Sequence, residues 1–81
     1  MKNKWFVYIL KCSDNSLYTG ITTNIVKRIA THNKGTGAKY TKHRKPVALV
    51  YSEPSLDRSS ASKREAQIKS LSRLEKLELI K

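Results

Sequence analysis

The stretch Phe6–Gly20, FVYILKCSDNSLYTG, places two short β-rich runs on either side of a polar turn. Each run carries one tyrosine, Tyr8 or Tyr18, and Ser13–Ser16 between them favour turns through local side-chain hydrogen bonds. The pattern predicts a β-hairpin in which Gly20 leaves room for a backbone or ligand to come close. Two tyrosines in a hairpin are also typical of an ordinary cross-strand aromatic pair, so the stretch alone predicts structure and not function.

The composition is strongly basic. Seventeen Lys and Arg against six Asp and Glu give a net charge of +11 over 81 residues. So basic a chain attracts polyanions, and nucleic acid is the expected partner, bound mainly through its phosphate backbone. A merely solvated basic surface is the alternative. The basic residues are scattered rather than gathered on one face of an amphipathic helix, which argues against a membrane partner.

The length has room for one domain, residues 1–81, with one modest core. The single cysteine, Cys12, excludes an intramolecular disulfide and a cysteine-rich zinc site, and we interpret it as structural. No apolar run reaches the length of a signal peptide core or a membrane span, so we expect a cytoplasmic protein, with a monomer favoured.

The segment after the hairpin has the spacing of a helix. Thr22 or Thr23 can cap it, and its apolar residues recur on one face at Ile25, Val26, Ile29 and Ala30. Asn24, Arg28 and His32 lie four residues apart and form a polar stripe on the flank. A solvated flank is the alternative to a functional stripe.

The next segment, Gly35–Lys45, combines glycines, basic side chains and Tyr40, which suits phosphate contacts. We interpret His43 as part of this basic loop. The segment lacks the Walker pattern, which argues against a nucleotide-triphosphate loop. The candidate nucleic-acid-binding residues are Lys34, Lys39, Tyr40, Thr41, Lys42, Arg44 and, further on, Lys69.

The second half predicts a strand and two helices. Residues 47–51 form a nearly continuous apolar run, predicted as the buried centre of the sheet, with Pro54 closing the strand. A helix is expected from about Asp57, capped by that residue or by a serine shortly after it, and Ser72–Glu75 has capping-box spacing for a short last helix. Leu74, Leu77 and Ile80 are expected to pack that helix over the core.

Glu65 is the carboxylate of most interest on the longer helix. From spacing alone, it can serve a capping box from Ser62 or pair with Lys69 one turn on.

Taken in chain order, these residues resemble the GIY-YIG nuclease superfamily. VYI at residues 7–9 stands in place of GIY, YTG at 18–20 in place of YIG, and a GTGAKYT loop follows at 35–41. The likeness covers nearly the whole chain and is strongest to small stand-alone bacterial members, related to the catalytic domain of structure-specific endonucleases. The ordered set that carries it is Tyr8, Tyr18, Gly20, Arg28, His32, Tyr40, Thr41 and Glu65.

The resemblance implies an α+β fold: a small three-stranded mixed sheet flanked by helices, in the order ββαβα with a short C-terminal helix. It also implies one site that hydrolyses DNA phosphodiesters, with branched or damaged DNA in repair or recombination as the candidate substrate. The implied catalytic residues are Tyr8, Tyr18, Arg28 and His32, with Glu65 as the ligand of Mg²⁺ or Mn²⁺.

The residue types suit that chemistry. Mg²⁺ keeps several waters and takes oxygens from the substrate phosphate, so one carboxylate can be enough. A tyrosine with a pKa of about 10 is a poor base at neutral pH, so Tyr8 needs cationic neighbours such as Arg28. Which tyrosine serves as the base stays open.

One departure favours other functions. Several members of the superfamily carry an asparagine after the glutamate, whereas residues 66–81 contain none. A non-catalytic nucleic-acid-binding module and a subunit that needs a protein partner therefore remain alternatives. With no added recognition module in the sequence, we expect poor sequence specificity and binding that weakens steeply with salt.

Overall fold

The predicted hairpin forms from β1 (Trp5–Lys11) and β2 (Leu17–Thr22), which pair antiparallel with Tyr8 directly opposite Gly20. The computed structural model describes residues 4–81, so the part of the predicted domain before residue 4 lies outside it. In the tight turn, Asn15 takes a φ of 69°, and the Asp14 carboxylate accepts the backbone N–H of Ser16. These are the local side-chain bonds expected of such a turn.

The strand β3 (Ala48–Ser55) pairs antiparallel with β1, giving the order β2-β1-β3. The α+β class and the three strands are confirmed, but the prediction of a mixed sheet is wrong. The outer strands β2 and β3 run in the same direction, yet β1 separates them, so every neighbouring pair is antiparallel.

The prediction that residues 47–51 form the centre of the sheet is also wrong. The central strand is β1, whose residues 7–10 are buried, whereas Leu49 on the edge strand β3 is exposed. Val47, just before the strand, is the buried member of that apolar run. Pro54 lies within β3 rather than closing it, and an edge strand tolerates a residue that has no backbone N–H.

Alternation along β1 divides the core between the two faces of the sheet. On one face Val7 and Ile9 pack with Ala61 and Ile68 of α3 (Arg58–Lys69) and with the end of α4 (Arg73–Ile80). On the other face Tyr8 and Leu10 pack with Cys12, Val47 and with Ile29 of α1 (Ile25–Asn33). The second face holds Tyr8 and His32, with the short helix α2 (Lys39–Lys42) joined to them through Thr41, whereas Glu65 lies on α3, which packs against the first face.

The helix ends follow capping chemistry. Asp57 caps α3 by accepting the N–H of Ser60, and Ser72 and Glu75 form the predicted capping box of α4. The cap of α1 is Asn24, which accepts the N–H of Lys27, rather than Thr22 or Thr23. The Thr22 hydroxyl instead accepts the backbone N–H of Asn24, and in this way it supports the capping residue from two positions earlier in the chain.

Two expectations about apolar helix residues are corrected. Val26 is 81% exposed, so it does not belong to the buried face of α1. On α4 the predicted Leu74 and Leu77 are exposed, and Leu79 joins the predicted Ile80 in packing against the core. Within residues 4–81, none of the helices combines the length and apolar character needed to cross a bilayer.

Candidate active site

The centre of the site is a hydrogen bond between β1 and α1. The hydroxyl of Tyr8 lies 3.0 Å from Nε2 of His32, and the two side chains are 1% and 0% exposed. Tyr8 faces α1 because it alternates with Val7 and Ile9, which face α3. His32 reaches it from the last turn of α1. Structure thus brings together two predicted site residues that lie 24 positions apart in the chain.

A second hydrogen bond fixes the other side of the imidazole. Nδ1 of His32 lies 2.8 Å from the hydroxyl of Thr41, which is itself fully buried and donates to the carbonyl of Ala38 at 3.1 Å. Thr41 belongs to α2, the short helix that forms inside the predicted loop. Both imidazole nitrogens therefore have a partner.

Two glycines make these contacts possible. A Cβ at Gly20 would lie 2.5 Å from the Tyr8 hydroxyl, and a Cβ at Gly37 would lie 2.6 Å from Nδ1 of His32. Neither separation is compatible with an ordinary side chain. The group that comes close to Gly20 is therefore the side chain of Tyr8 on the neighbouring strand.

Arg28 lies one turn before His32 on α1 and acts on both buried rings. Its guanidinium donates from Nη2 to the carbonyl of Gly37 at 3.0 Å. Burial raises the pKa of the Tyr8 phenol, and Arg28 beside it opposes that rise. Burial also lowers the pKa of His32, and the positive charge of Arg28 lowers it further. The ligand-free site therefore holds a protonated phenol next to a neutral imidazole.

Tyr18 joins the site through ring contacts. Its ring meets the imidazole of His32 edge-on, with centroids 5.3 Å apart, and lies 6.5 Å from the ring of Tyr8. On its outer side it stacks on Tyr40, with centroids 5.9 Å apart and planes at 24°. The aromatic rings thus run from the buried imidazole to the half-exposed Tyr40 at the surface.

Arg44 holds the outer end of that stack. Its guanidinium carbon lies 4.0 Å from the centroid of the Tyr40 ring, a cation–π contact. The same side chain donates to the carbonyl of Tyr40 and pairs with Asp14 of the hairpin turn at 3.0 Å. The turn between the first two strands thereby anchors the basic segment, a connection that the sequence pattern did not predict.

Glu65 lies on α3 and is half-buried. Its Oε2 pairs with the ammonium of Lys69 at 3.0 Å, the alternative raised by the helical spacing. The carboxylate is near enough to Tyr8 that its negative charge contributes to raising the pKa of the phenol. Among the described residues no three His, Cys, Asp or Glu side chains cluster as a metal site, so a cation here would depend on this single carboxylate.

Apart from Thr41, the predicted nucleic-acid-binding residues divide into four groups. Lys34 and Lys42 line a basic pocket of about 410 Å³ with Gly35, His43 and Lys45, and no acidic residue lines it. Lys39 is exposed at the start of α2. Tyr40 and Arg44 form the outer aromatic stack, and Lys69 is paired with Glu65.

Thr41 requires a correction. It was predicted to contact nucleic acid, but its side chain is 0% exposed and its hydroxyl is enclosed between His32 and the carbonyl of Ala38. A phosphate cannot reach that hydroxyl. Gly37 was not predicted as a site residue. It belongs to the site because a side chain at this position would occupy the space of the His32 imidazole.

Comparison with known proteins decides the family. Residues 4–78 match the GIY-YIG catalytic domain, and this range includes every site residue described above. The chain belongs to the GIY-YIG family. The predicted resemblance is confirmed.

Relatives of this GIY-YIG protein match it over nearly its whole length. A UPF0213 protein of Staphylococcus haemolyticus is 61% identical over 77 residues, covering 95% of this chain and 94% of the relative. A UPF0213 protein of Desulfotalea psychrophila is 59% identical over 78 residues, covering 95% and 71%. These names specify a family and no substrate.

Two solution NMR structures share the fold. The UPF0213 protein of Bacillus halodurans superposes with a TM-score of 0.61 at 43% identity, covering 94% of this chain and 81% of the other. A protein of E. faecalis gives a TM-score of 0.63 at 43% identity, covering 99% and 84%. The GIY-YIG arrangement of strands and helices is therefore common to these proteins.

Proposed function

We propose that this GIY-YIG protein is a divalent-metal-dependent endonuclease that hydrolyses DNA phosphodiesters. The observation that carries the proposal is the buried hydrogen bond between Tyr8 and His32, with Arg28 beside it. An ordinary core would not hold a phenol, an imidazole and a guanidinium together, because burying such polar groups costs free energy unless each is paired. Clusters of this kind are typical of functional sites.

Tyr8 is the general base in this proposal, and Tyr18 positions the attacking water. Tyr8 is favoured over Tyr18 because its hydroxyl is hydrogen-bonded to His32 Nε2, whereas Tyr18 contacts the imidazole through its ring. Burial keeps the Tyr8 phenol protonated in the ligand-free protein, so the base forms only when its proton can leave. Arg28 stabilises the phenolate and the negative charge on the phosphoryl oxygens.

Glu65 is the residue that would hold Mg²⁺ or Mn²⁺. The ion pair with Lys69 engages Oε2 of this half-buried carboxylate. A single carboxylate ligand is compatible with Mg²⁺, which usually keeps several bound waters and takes further oxygens from a substrate phosphate. When bound there, the metal would neutralise charge that develops on the leaving oxygen.

The basic pocket is the proposed contact for the DNA backbone beyond the cleaved phosphate. Lys34, Lys42 and Lys45 converge on it, and none of them forms an ion pair within residues 4–81. Three like charges around one depression favour an anion. Tyr40 is partly exposed, with its ring between Tyr18 and the guanidinium of Arg44, and would contact the DNA through its ring edge or hydroxyl.

The finer description is part of the same proposal. Contacts through phosphates and one aromatic ring recognise the shape of the backbone rather than its sequence. Branched or damaged DNA, met during repair or recombination, is therefore the proposed substrate class. We place the activity in the cytoplasm and favour a monomer.

A non-catalytic DNA-binding module is the second candidate. Two observations favour it: residues 66–81 contain no asparagine, and burial raises the pKa of the phenol that should act as base. This candidate predicts DNA binding that survives loss of Glu65, with no cleavage. A subunit activated by a protein partner would cut DNA only in the presence of that partner.

The test is cleavage of labelled linear, flapped and four-way DNA at low salt, with Mg²⁺, with Mn²⁺ and with a chelator. Glu65→Gln should abolish metal-dependent cutting, whereas the matched control Glu78→Gln, on the exposed face of α4, should retain it. Cleavage that persists in Glu65→Gln would contradict the metal site. A folded wild type that binds DNA and never cuts it would favour the second candidate.

A further inference from the structure

Thr41 lies at the end of a buried chain of three hydrogen bonds. The chain runs from the Tyr8 hydroxyl to Nε2 of His32, from Nδ1 of His32 to the Thr41 hydroxyl, and from that hydroxyl to the carbonyl of Ala38. The three side chains are between 0% and 1% exposed. In the ligand-free protein, bulk water therefore has little access to these three groups, and each proton is assigned within the chain.

Counting donors and acceptors decides the direction. The carbonyl of Ala38 can only accept, and the Thr41 hydroxyl donates its single proton to it, beside the backbone N–H of Lys42. The contact between Thr41 and His32 then requires that Nδ1 carries a hydrogen and donates it. A neutral imidazole has one N–H, so Nε2 is bare and accepts the proton of the Tyr8 hydroxyl.

The reverse direction satisfies fewer groups. If Thr41 donated to Nδ1, its contact with Ala38 would have no proton, and Nε2–H would point at the Tyr8 oxygen. The Tyr8 proton would then need another acceptor, and the neighbouring guanidinium of Arg28 has only donors. An unsatisfied buried donor costs about 1–3 kcal/mol.

We propose that Thr41 is a positioning residue that holds His32 in the Nδ1–H tautomer, so that the bare Nε2 can take the proton of Tyr8. The assignment rests on the proposed function for its catalytic meaning, but the tautomer itself does not depend on any activity. In this arrangement His32 is the base that accepts the Tyr8 proton, and Thr41 is the third group that orients it.

The tautomer completes the proton balance of the proposed reaction. As the attacking water loses a proton to the Tyr8 oxygen, the original Tyr8 proton moves to His32 Nε2. The water oxygen forms its bond to phosphorus while the bond to the leaving oxygen breaks, and the leaving oxygen takes a proton from solvent. The imidazolium, its Nδ1–H still bonded to Thr41, later returns the extra proton through Tyr8.

The groups that face the imidazole agree with a neutral ring. Tyr18 meets it edge-on from β2, and Gly37 covers Nδ1 from the segment before α2. Arg28 on the same helix is the nearby charge, and it disfavours an imidazolium in the resting state. The described contacts place no carboxylate against the ring.

The experiment measures the ¹⁵N shifts of the His32 ring in the wild type, Thr41→Ser and Thr41→Val at neutral pH without DNA. We expect a protonated Nδ1 and a bare Nε2 in the wild type and in Thr41→Ser, which keeps the hydroxyl. Thr41→Val should shift the population toward Nε2–H. A wild type with Nε2–H, or with both nitrogens protonated, would overturn the proposal even if neither variant folds.

Cleavage adds a second readout. Thr41→Val should lower kcat by about 10- to 100-fold, the range for groups that orient a functional histidine, with KM unchanged. Thr41→Ser should restore most of the loss. Equal kcat in a folded Thr41→Val would overturn the positioning role. A wild type that holds Nδ1–H and cuts no DNA would contradict the proposed function while supporting the tautomer.

Discussion

Tyr8 passes directly over Gly20, its partner in the antiparallel hairpin, so that a Cβ on the glycine would meet the phenolic oxygen at 2.5 Å. The glycine of one strand thus makes room for the tyrosine of the other. The two strands of the hairpin therefore form one structural unit, and the space at Gly20 lets the Tyr8 phenol reach His32.

Gly20→Ala should therefore displace the Tyr8 ring. Because Tyr8 is buried and cannot swing into solvent, we expect a loss of about 1–3 kcal/mol in the free energy of unfolding, typical of overpacking. Chemical denaturation measures this loss. A variant as stable as the wild type, with unchanged ring resonances of His32, would contradict the close approach.

His32 should titrate below the ordinary histidine pKa of about 6.5, because burial and Arg28 lower its pKa. Its folded-state pKa is depressed, so its contribution to stability is complete above about pH 6.5 and is lost as the pH falls through the folded value. NMR titration of the His32 ring measures the midpoint. A midpoint above 6.5 would contradict the neutral imidazole.

Lys42→Gln should weaken DNA binding and flatten its salt dependence. If Lys42 contacts a backbone phosphate in the basic pocket, the slope of log K against log salt should fall by about 1. Lys63→Gln, on the exposed surface of α3, is the matched control and should leave the slope unchanged. Equal slopes for the two variants would argue that the pocket does not bind DNA.

Lys69→Gln should improve metal activation. The ammonium of Lys69 competes with a cation for Oε2 of Glu65, and an exposed pair of this kind contributes about 0.2–1 kcal/mol. The Mg²⁺ concentration for half-maximal cleavage should therefore fall by roughly 1.4- to fivefold. Lys81→Gln, which breaks the pair with Glu78, provides the control. A higher requirement in Lys69→Gln would show that the lysine supports the site by another route.

Local patterns predicted most of the secondary structure. The hairpin, the Asp57 cap and the Ser72–Glu75 capping box each depend on residues close in sequence, so the physical cause is visible in the sequence itself. The order of the strands is different in kind. A continuous apolar run is typical of a central strand, yet β3 lies at the edge of the sheet. It pairs only with β1 of the hairpin, and such pairing depends on tertiary context that the run itself does not reveal.

The site shows the same division. Spacing on one helix placed Arg28 and His32 on a common flank, and the resemblance added the two tyrosines. The role of Thr41 was not predictable, because a threonine in a basic glycine-containing segment suits a phosphate contact as well as a buried hydrogen bond. Only the folding of α2 against α1 encloses the hydroxyl and turns it toward the imidazole.

Tyr8→Phe also has a structural consequence that must be separated from catalysis. It leaves Nε2 of His32 without its buried partner, and we expect a loss of about 1–3 kcal/mol in the free energy of unfolding. Cleavage by this variant should therefore be assayed at a temperature well below its unfolding temperature. Tyr51→Phe, which removes a hydroxyl bonded to Glu53 elsewhere on the sheet, is the matched control.

The most direct measurement is the single-turnover rate of DNA cleavage by the wild type, Tyr8→Phe and Tyr51→Phe, each shown to be folded, at saturating protein with Mg²⁺. If Tyr8 is the general base, Tyr8→Phe should cut at least about 100-fold more slowly, and Tyr51→Phe should match the wild type. Equal rates for the wild type and Tyr8→Phe would contradict the central claim that the buried phenol and imidazole form a hydrolytic site.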